Sequence, residues 1–228
     1  MQIAENIVRQ GITTGAKFST KLTQFIREMG FKSVIETGTY LGMGTSKAII
    51  DGLTAPFQFI SIEVNPKNFA QAHKNIGHID GVLLINGLSV AKSDIPVSLS
   101  QDYPDWVIVD HQPDLRNNLY YQEIRYDVPD NQLNKALSIV KYKPDMVLLD
   151  SAGSCGYQEF LYLINRLKAD CFIALDDTDH VKHYETMNHV ANHPDQFEVI
   201  WQIRSEFIDP KQGDKFGSAI VKYKHNGG

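Results

Sequence analysis

The chain has 228 residues, 43% hydrophobic and 21% charged, which suits one α/β domain with a full core and is short for two. A formal net charge of −5 argues against a nucleic-acid partner, which needs a basic face to release phosphate counterions. No window approaches ~18 apolar residues and Met1–Asn6 carries no signal-peptide pattern, so the expectation is a cytoplasmic protein that makes no use of membranes.

Residues 18–29 place Phe18, Leu22, Phe25, Ile26 and Met29 at helical spacing and stop at Gly30, where a C-terminal cap glycine belongs. Strands and helices then alternate: Ser33–Glu36 strand, Thr45–Leu53 helix, Gln58–Glu63 strand, Pro66–Asn75 helix, Gly81–Asn86 strand. Pro66 suits a first helical turn, and such alternation builds a parallel sheet through right-handed crossovers. Residues 94–130 break the pattern with four prolines and four tyrosines, Tyr103, Tyr120, Tyr121 and Tyr126. So long an insertion in a compact domain is usually functional or poorly ordered, and the tyrosines either form an aromatic lid or pack the insertion down.

Alternation resumes with an Asn131–Val140 helix, Met146–Asp150 strand, Tyr157–Leu167 helix, Cys171–Asp176 strand and His180–Val190 helix. Phe197–Ile203 and Ser218–Tyr223 leave no room for a crossover helix and are expected to pair antiparallel. Pro104–Asp110 and Pro144–Asp150 share the pattern P-D-x-V-x-x-D. The second is chosen as the fourth strand, because counting the first adds a strand and displaces the hairpin. The fold expected is α/β: a Rossmann-like, seven-stranded, mostly parallel sheet with helices on both faces and a C-terminal antiparallel hairpin. A single domain spans 1–228, with an N-terminal helical segment over about 1–30 and a lid-like insertion over about 94–130. Cys155 and Cys171 make no disulfide framework and read as small buried residues.

The most informative stretch is Glu36–Thr45, Glu-Thr-Gly-Thr-Tyr-Leu-Gly-Met-Gly-Thr, between a strand and a helix start. A glycine turn there lets a ligand approach backbone N–H groups, which is the geometry of a nucleotide cofactor site. The spacing G-x-x-x-G-x-G from Gly38, Gly42 and Gly44 departs from the dinucleotide fingerprint G-x-G-x-x-G. A glycine-rich turn with no ligand is the plainer alternative. Ligands of open α/β sheets sit beyond the strand carboxyl ends, here Glu36, Glu63, Asn86, Asp150 and Asp176. Glu63 stands where a carboxylate can accept hydrogen bonds from both hydroxyls of a ribose.

Asp150, Asp176 and Asp177 are hard oxygen donors at two adjacent strand ends and could hold Mg²⁺, which would lower the pKa of a substrate hydroxyl. Without a metal, Asp150 is left to contact the cofactor, and Asp176-Asp177 to sit at a helix N-terminus. His180 could take a proton from a hydroxyl near the site. His183, at i+3, would share a helix face with it, which in principle permits zinc, although a solvated face is the plainer reading of His183. His111 in the insertion is a weaker candidate, and no nucleophile elbow or P-loop is present.

Glu36–Thr45 together with Glu63 resembles motif I of the class I S-adenosylmethionine-dependent methyltransferases. The likeness covers roughly residues 30–90 and 140–224 and extends to the seven-strand order. It implies S-adenosylmethionine as cofactor, with Glu36, Gly38, Thr39, Tyr40 and Gly42 around its methionine and sulfonium end, Glu63 on the ribose and Thr45 also among the cofactor contacts. Ser89 falls where the family contacts adenine, and Asp150 also borders the cofactor. The acids after the fourth and fifth strands resemble the catechol-type and sugar-type metal-dependent O-methyltransferases, with two departures. Asp176-Asp177 replaces an Asp-Asn pair, and Ser151–Gly156 lacks the histidine that related families often carry after the fourth-strand acid.

The resemblance implies methyl transfer to a small-molecule or sugar-like hydroxyl, with Asp150, Asp177 and His180 as catalytic residues and Asp150, Asp176 and Asp177 as ligands if Mg²⁺ is used. A homo-oligomer is compatible with the sequence. The alternatives are an NAD-dependent oxidoreductase and a non-catalytic cofactor-binding module.

Overall fold

The computed structural model describes residues 18–96, 103–107, 125–151, 153, 155–204 and 216–225. Helix α1 (Phe18–Met29) buries Phe18, Leu22, Phe25 and Ile26 of the face its spacing predicts but leaves Met29 exposed, and stops at Gly30, whose φ of 67° suits a residue without a Cβ. Strand β1 (Ser33–Thr37) leads into α2 (Thr45–Gly52), β2 (Gln58–Glu63), α3 (Pro66–Ile76) and β3 (Val82–Asn86). Asn65 caps α3 by accepting the N–H groups of Lys67 and Asn68, with Pro66 in the first turn where its missing donor costs nothing.

After a 3₁₀ turn at Lys92–Asp94, the described chain continues with α4 (Gln132–Ile139), β4 (Met146–Leu149), α5 (Gly156–Ile164), β5 (Cys171–Asp176), α6 (Tyr184–Asn192), β6 (Phe197–Ile203) and β7 (Ser218–Tyr223). The sheet order is β3-β2-β1-β4-β5-β7-β6. The first five strands are parallel, and β7 is antiparallel to both β5 and β6. The fourth strand is therefore the Met146 run. Of the rival run, 103–107 form no strand and 108–110 lie outside the described residues.

Both faces of the sheet are covered, which is why the parallel strands are apolar almost throughout. On one face α1, α2 and α3 bury Leu22, Phe25, Ile26, Ile49 and Ile76 against Val34, Phe59, Met146, Leu148 and Ala174. On the other, α4, α5 and α6 bury Leu133, Leu137, Phe160, Leu163 and Val190 against Ile35, Ile60, Val147, Leu149 and Ile173.

The 91–130 excursion leaves and returns at one place. Leu88 donates to Pro129 O, Gln132 to Leu88 O, Leu133 to Ser89 O and Asn131 to Val90 O. Gly87 permits this closure, because a Cβ there would lie 2.4 Å from the Pro129 carbonyl oxygen.

Candidate functional site

Adjacent residues of β1 serve opposite faces of the sheet. Glu36 is fully buried and accepts the hydroxyls of Thr45 at 2.8 Å, Ser46 at 2.5 Å and Ser61 at 2.6 Å. Thr37 donates at 3.0 Å to Glu159 of α5, a second buried carboxylate that also takes Ser151 at 2.6 Å and Ser89. Burial pushes Glu36 up to about 7 despite its hydroxyl donors, and the charge of Glu63 adds to the rise.

The chain then turns sharply. Gly38, at φ 84°, lies so close to β4 that a Cβ would sit 2.2 Å from the Asp150 carbonyl oxygen. Tyr40 adopts φ 51° and donates its N–H to Glu63 Oε2 at 2.6 Å, while Asn65 N–H donates to Oε1 at 2.8 Å. Burial raises the Glu63 carboxyl above its ordinary value, opposed by those two amides and the Asn68 side chain. Each oxygen keeps acceptor capacity beyond the one amide it receives. Gly42, at φ 73°, returns the chain toward α2. Gly44, exposed and with nothing within 4 Å of where a Cβ would be, precedes α2 with no side-chain cap, so no side chain at the N-cap takes the first N–H groups of the helix.

One carboxylate oxygen each from Asp150, Asp176 and Asp177 lie within 4.8 Å of one another. Lys182 stands among them, its ammonium 3.0 Å from Asp150 Oδ1 and 2.7 Å from Asp177 Oδ2. Burial raises Asp150 to about 6 against the opposing Lys182 charge, and raises Asp176 to about 8 with the neighbouring aspartates adding. Burial also works against ionisation of Asp177, but the ammonium outweighs it and holds that carboxyl below its ordinary value. Lys182 is correspondingly held charged, its pKa raised by the three aspartates against burial. Thr45 Oγ1, besides its bond to Glu36, lies 3.3 Å from Asp150 Oδ2 and so links the glycine turn to this cluster.

The segment between β5 and α6 corrects three expectations. The helix begins at Tyr184, so His180 and His183 share no helix face, and His183 rather than Asp176-Asp177 occupies the N-cap position. His183 is fully buried rather than solvated. Its Nε2 donates to Leu149 O at 3.1 Å, which leaves Nδ1 to accept from Thr186 Oγ1 at 3.2 Å. Burial lowers its pKa to about 3, with the Lys182 charge adding. His180 is buried, and its Nδ1 accepts the Lys182 backbone N–H at 3.1 Å.

Comparison with solved structures places this arrangement in a known fold. An O-methyltransferase from Bacillus cereus, in complex with S-adenosylhomocysteine, aligns over 98% of this chain and 91% of its own at 12% identity and a TM-score of 0.59. An O-methyltransferase from Streptomyces achromogenes involved in tomaymycin synthesis, bound to S-adenosylmethionine, aligns over 98% and 89% at 11% identity and a TM-score of 0.56. The chain has the methyltransferase fold. A Podospora anserina methyltransferase bound to S-adenosylhomocysteine shares that fold, over 98% of this chain and 86% of its own, at 14% identity and a TM-score of 0.51. No protein-family model matches the chain, and no curated protein matches it.

Within the methyltransferase fold, the expected residues fall at the carboxyl edge of the parallel strands in two groups. Glu36, Gly38, Tyr40, Gly42, Thr45 and Glu63 gather around the glycine turn, and Asp150, Asp176, Asp177 and His180 gather beside Lys182. Thr39 and Ser89 are buried, with hydroxyls engaged by Ser61 at 2.5 Å and by Glu159. His111, Tyr120 and Tyr121 lie outside the described residues.

Lys182 and Glu159 were not singled out from the sequence; each is an isolated charge whose burial only tertiary packing reveals. Of the insertion tyrosines read as a lid or as packing, Tyr103 joins an aromatic group at the edge where β6 ends, together with Trp106, which was not singled out. Tyr103 and Trp106 both meet the Tyr184 ring edge-on at 5.6 Å between centroids, and Arg204 lies 5.2 Å over Trp106. No helix among the described residues is long and apolar enough to cross a membrane.

Proposed function

We propose that the protein is an S-adenosylmethionine-dependent methyltransferase that methylates a hydroxyl of a small-molecule or sugar-like acceptor. The observation that carries this reading is the junction of the glycine turn with Glu63. In a methyltransferase fold, the buried carboxylate of Glu63 at the end of β2 takes the Tyr40 N–H of the glycine turn, so turn and strand-end acid stand side by side. The spacing of Gly38, Gly42 and Gly44 disfavours the oxidoreductase alternative.

When bound, S-adenosylmethionine supplies an electrophilic methyl carbon on a positively charged sulfur. Glu63 would hold the ribose hydroxyls, and Glu36, buried beneath the turn, would present negative charge toward the sulfonium end. Catalysis would rest mainly on alignment of the acceptor oxygen, with proton removal as the residue-dependent part. Asp150, raised to about 6, is better matched to accept a proton near neutral pH than Asp177, whose basicity Lys182 suppresses. His180 is poorly placed as the base, because its Nδ1 already accepts the Lys182 backbone N–H and the neutral ring then carries its proton on Nε2. The three aspartates offer a hard-oxygen ligand set, but an ammonium stands among them, so no step is assigned to a metal.

Calorimetry with S-adenosylhomocysteine and with NAD tests the reading. S-adenosylhomocysteine is expected to bind, and Glu63→Ala to weaken it by about 1–3 kcal/mol, the range for losing a charged hydrogen-bond partner. Binding of NAD alone would overturn the proposal. Turnover against a panel of hydroxylated acceptors then separates an enzyme from a module that only binds the cofactor.

A further inference from the structure

A lysine ammonium and a divalent metal cannot share one triangle of carboxylates. A metal such as Mg²⁺ or Ca²⁺ draws its oxygens to ~2.0–2.6 Å, whereas Lys182 Nζ donates to Asp150 and Asp177 at ordinary hydrogen-bond lengths of 3.0 and 2.7 Å. The two cations would also repel each other where little water screens them, since the Lys182 side chain is 3% exposed.

Several parts of the fold put the lysine there. His183 is bonded to the end of β4 through Leu149 O. The Lys182 backbone N–H is taken by His180 Nδ1. Asp177 adopts a left-handed φ of 61°, unusual for a residue with a Cβ. Gly156 makes room for the whole arrangement. A Cβ at that position would lie 2.7 Å from the Lys182 carbonyl oxygen, 2.8 Å from its Cγ and 2.5 Å from His183 Cε1. The first residue of α5 has no side chain at the point where the backbone and stem of Lys182 pass.

We infer that Lys182 is a tethered cation that occupies the Asp150–Asp176–Asp177 cluster in place of a divalent metal, so that the cluster binds no metal while the lysine is present. The inference stands on these residues alone and holds whatever cofactor or acceptor the protein takes. For the proposed methyl transfer, it means that any cationic help to the acceptor oxygen comes from a fixed single charge. Turnover should then be indifferent to EDTA and to added Mg²⁺.

The test is titration of the full chain with Mn²⁺, followed by the electron paramagnetic resonance signal of free ion. Wild type is expected to show no saturable site up to about 1 mM, the weak end of protein divalent-cation sites. Lys182→Met should gain one site per chain at least about tenfold tighter than that limit, and the added change Asp150→Asn should abolish it. Melting gives a parallel readout: Mg²⁺ should leave the wild-type midpoint unchanged and raise that of Lys182→Met, because a ligand stabilises only the state that binds it. One Mn²⁺ bound per wild-type chain in the micromolar range and lost in Asp150→Asn would overturn the inference, and this comparison does not need the lysine variant to fold. A folded Lys182→Met that gains no Mn²⁺ affinity would overturn it equally.

Discussion

Glu36 shows how one buried carboxyl can report on a ligand. With a free-state value raised to about 7, its ionised fraction rises from about a tenth at pH 6 to about nine tenths at pH 8. A cationic sulfonium bound beside the glycine turn favours the ionised form, so binding expels a proton wherever Glu36 is still protonated. Affinity for S-adenosylmethionine is therefore expected to rise about tenfold from pH 6 to pH 8, the full ionisation change of one group. Calorimetry at the two values measures this, and Glu36→Gln should flatten the profile. A wild-type affinity independent of pH would show that no positive charge settles near Glu36. Gly38 carries a different constraint on the same turn. Gly38→Ala combines an unfavourable φ of 84° with a Cβ 2.2 Å from the Asp150 carbonyl oxygen, and should cost at least about 1–3 kcal/mol of stability in denaturant titrations.

Elements whose pattern is local were legible in the sequence, and those shaped by partners were not. Each of the seven strands falls within a residue or so of its expected range, because a short apolar run between polar or turn residues is a local signal. The start of α6 was misplaced by four residues. Asp179-His-Val-Lys-His183 has helical polarity, yet His183 is drawn into the core by Leu149 O and Thr186 Oγ1, and Lys182 by the aspartates. Sequence periodicity cannot register those forces. The buried imidazole leaves a trace in stability. An unfolded histidine takes up a proton near pH 6.5, whereas the folded His183 does so only at about pH 3. Stability from this group is thus complete above pH 6.5 and lost as pH falls toward 3, by about 1.4 kcal/mol per unit. Glu36 and Asp176, with raised values, slope the opposite way over part of that range, so the informative quantity is a difference between proteins. Between pH 6.5 and 5 the unfolding free energy of wild type should fall more steeply than that of His183→Gln by about 1.4 kcal/mol per unit. Equal slopes would mean that His183 is protonated in the folded protein.

At the scale of the whole molecule, cofactor and acceptor functions are expected to divide between the sheet and the 91–130 insertion. The residues around the glycine turn lie on β1, the β1–α2 connection, α2 and β2. The ends of the insertion are clamped by hydrogen bonds that join Leu88, Ser89 and Val90 to Pro129, Asn131, Gln132 and Leu133. From within the insertion, Tyr103 and Trp106 reach across to Tyr184, at the start of the helix that follows the Lys182 segment. Replacing residues 97–124 by a short glycine-serine linker would leave the clamp and sheet intact. Shortening the closed loop about threefold also reduces its closure entropy cost by about 1 kcal/mol. The shortened protein is therefore expected to melt cooperatively within a few degrees of wild type and to bind S-adenosylhomocysteine with affinity within about twofold. Methyl transfer should be lost, because Tyr103 and Trp106, which pack on Tyr184 at the start of α6, go with the insertion. A tenfold loss of S-adenosylhomocysteine affinity would place the insertion over the cofactor, and unchanged turnover would move acceptor recognition to the N-terminal segment.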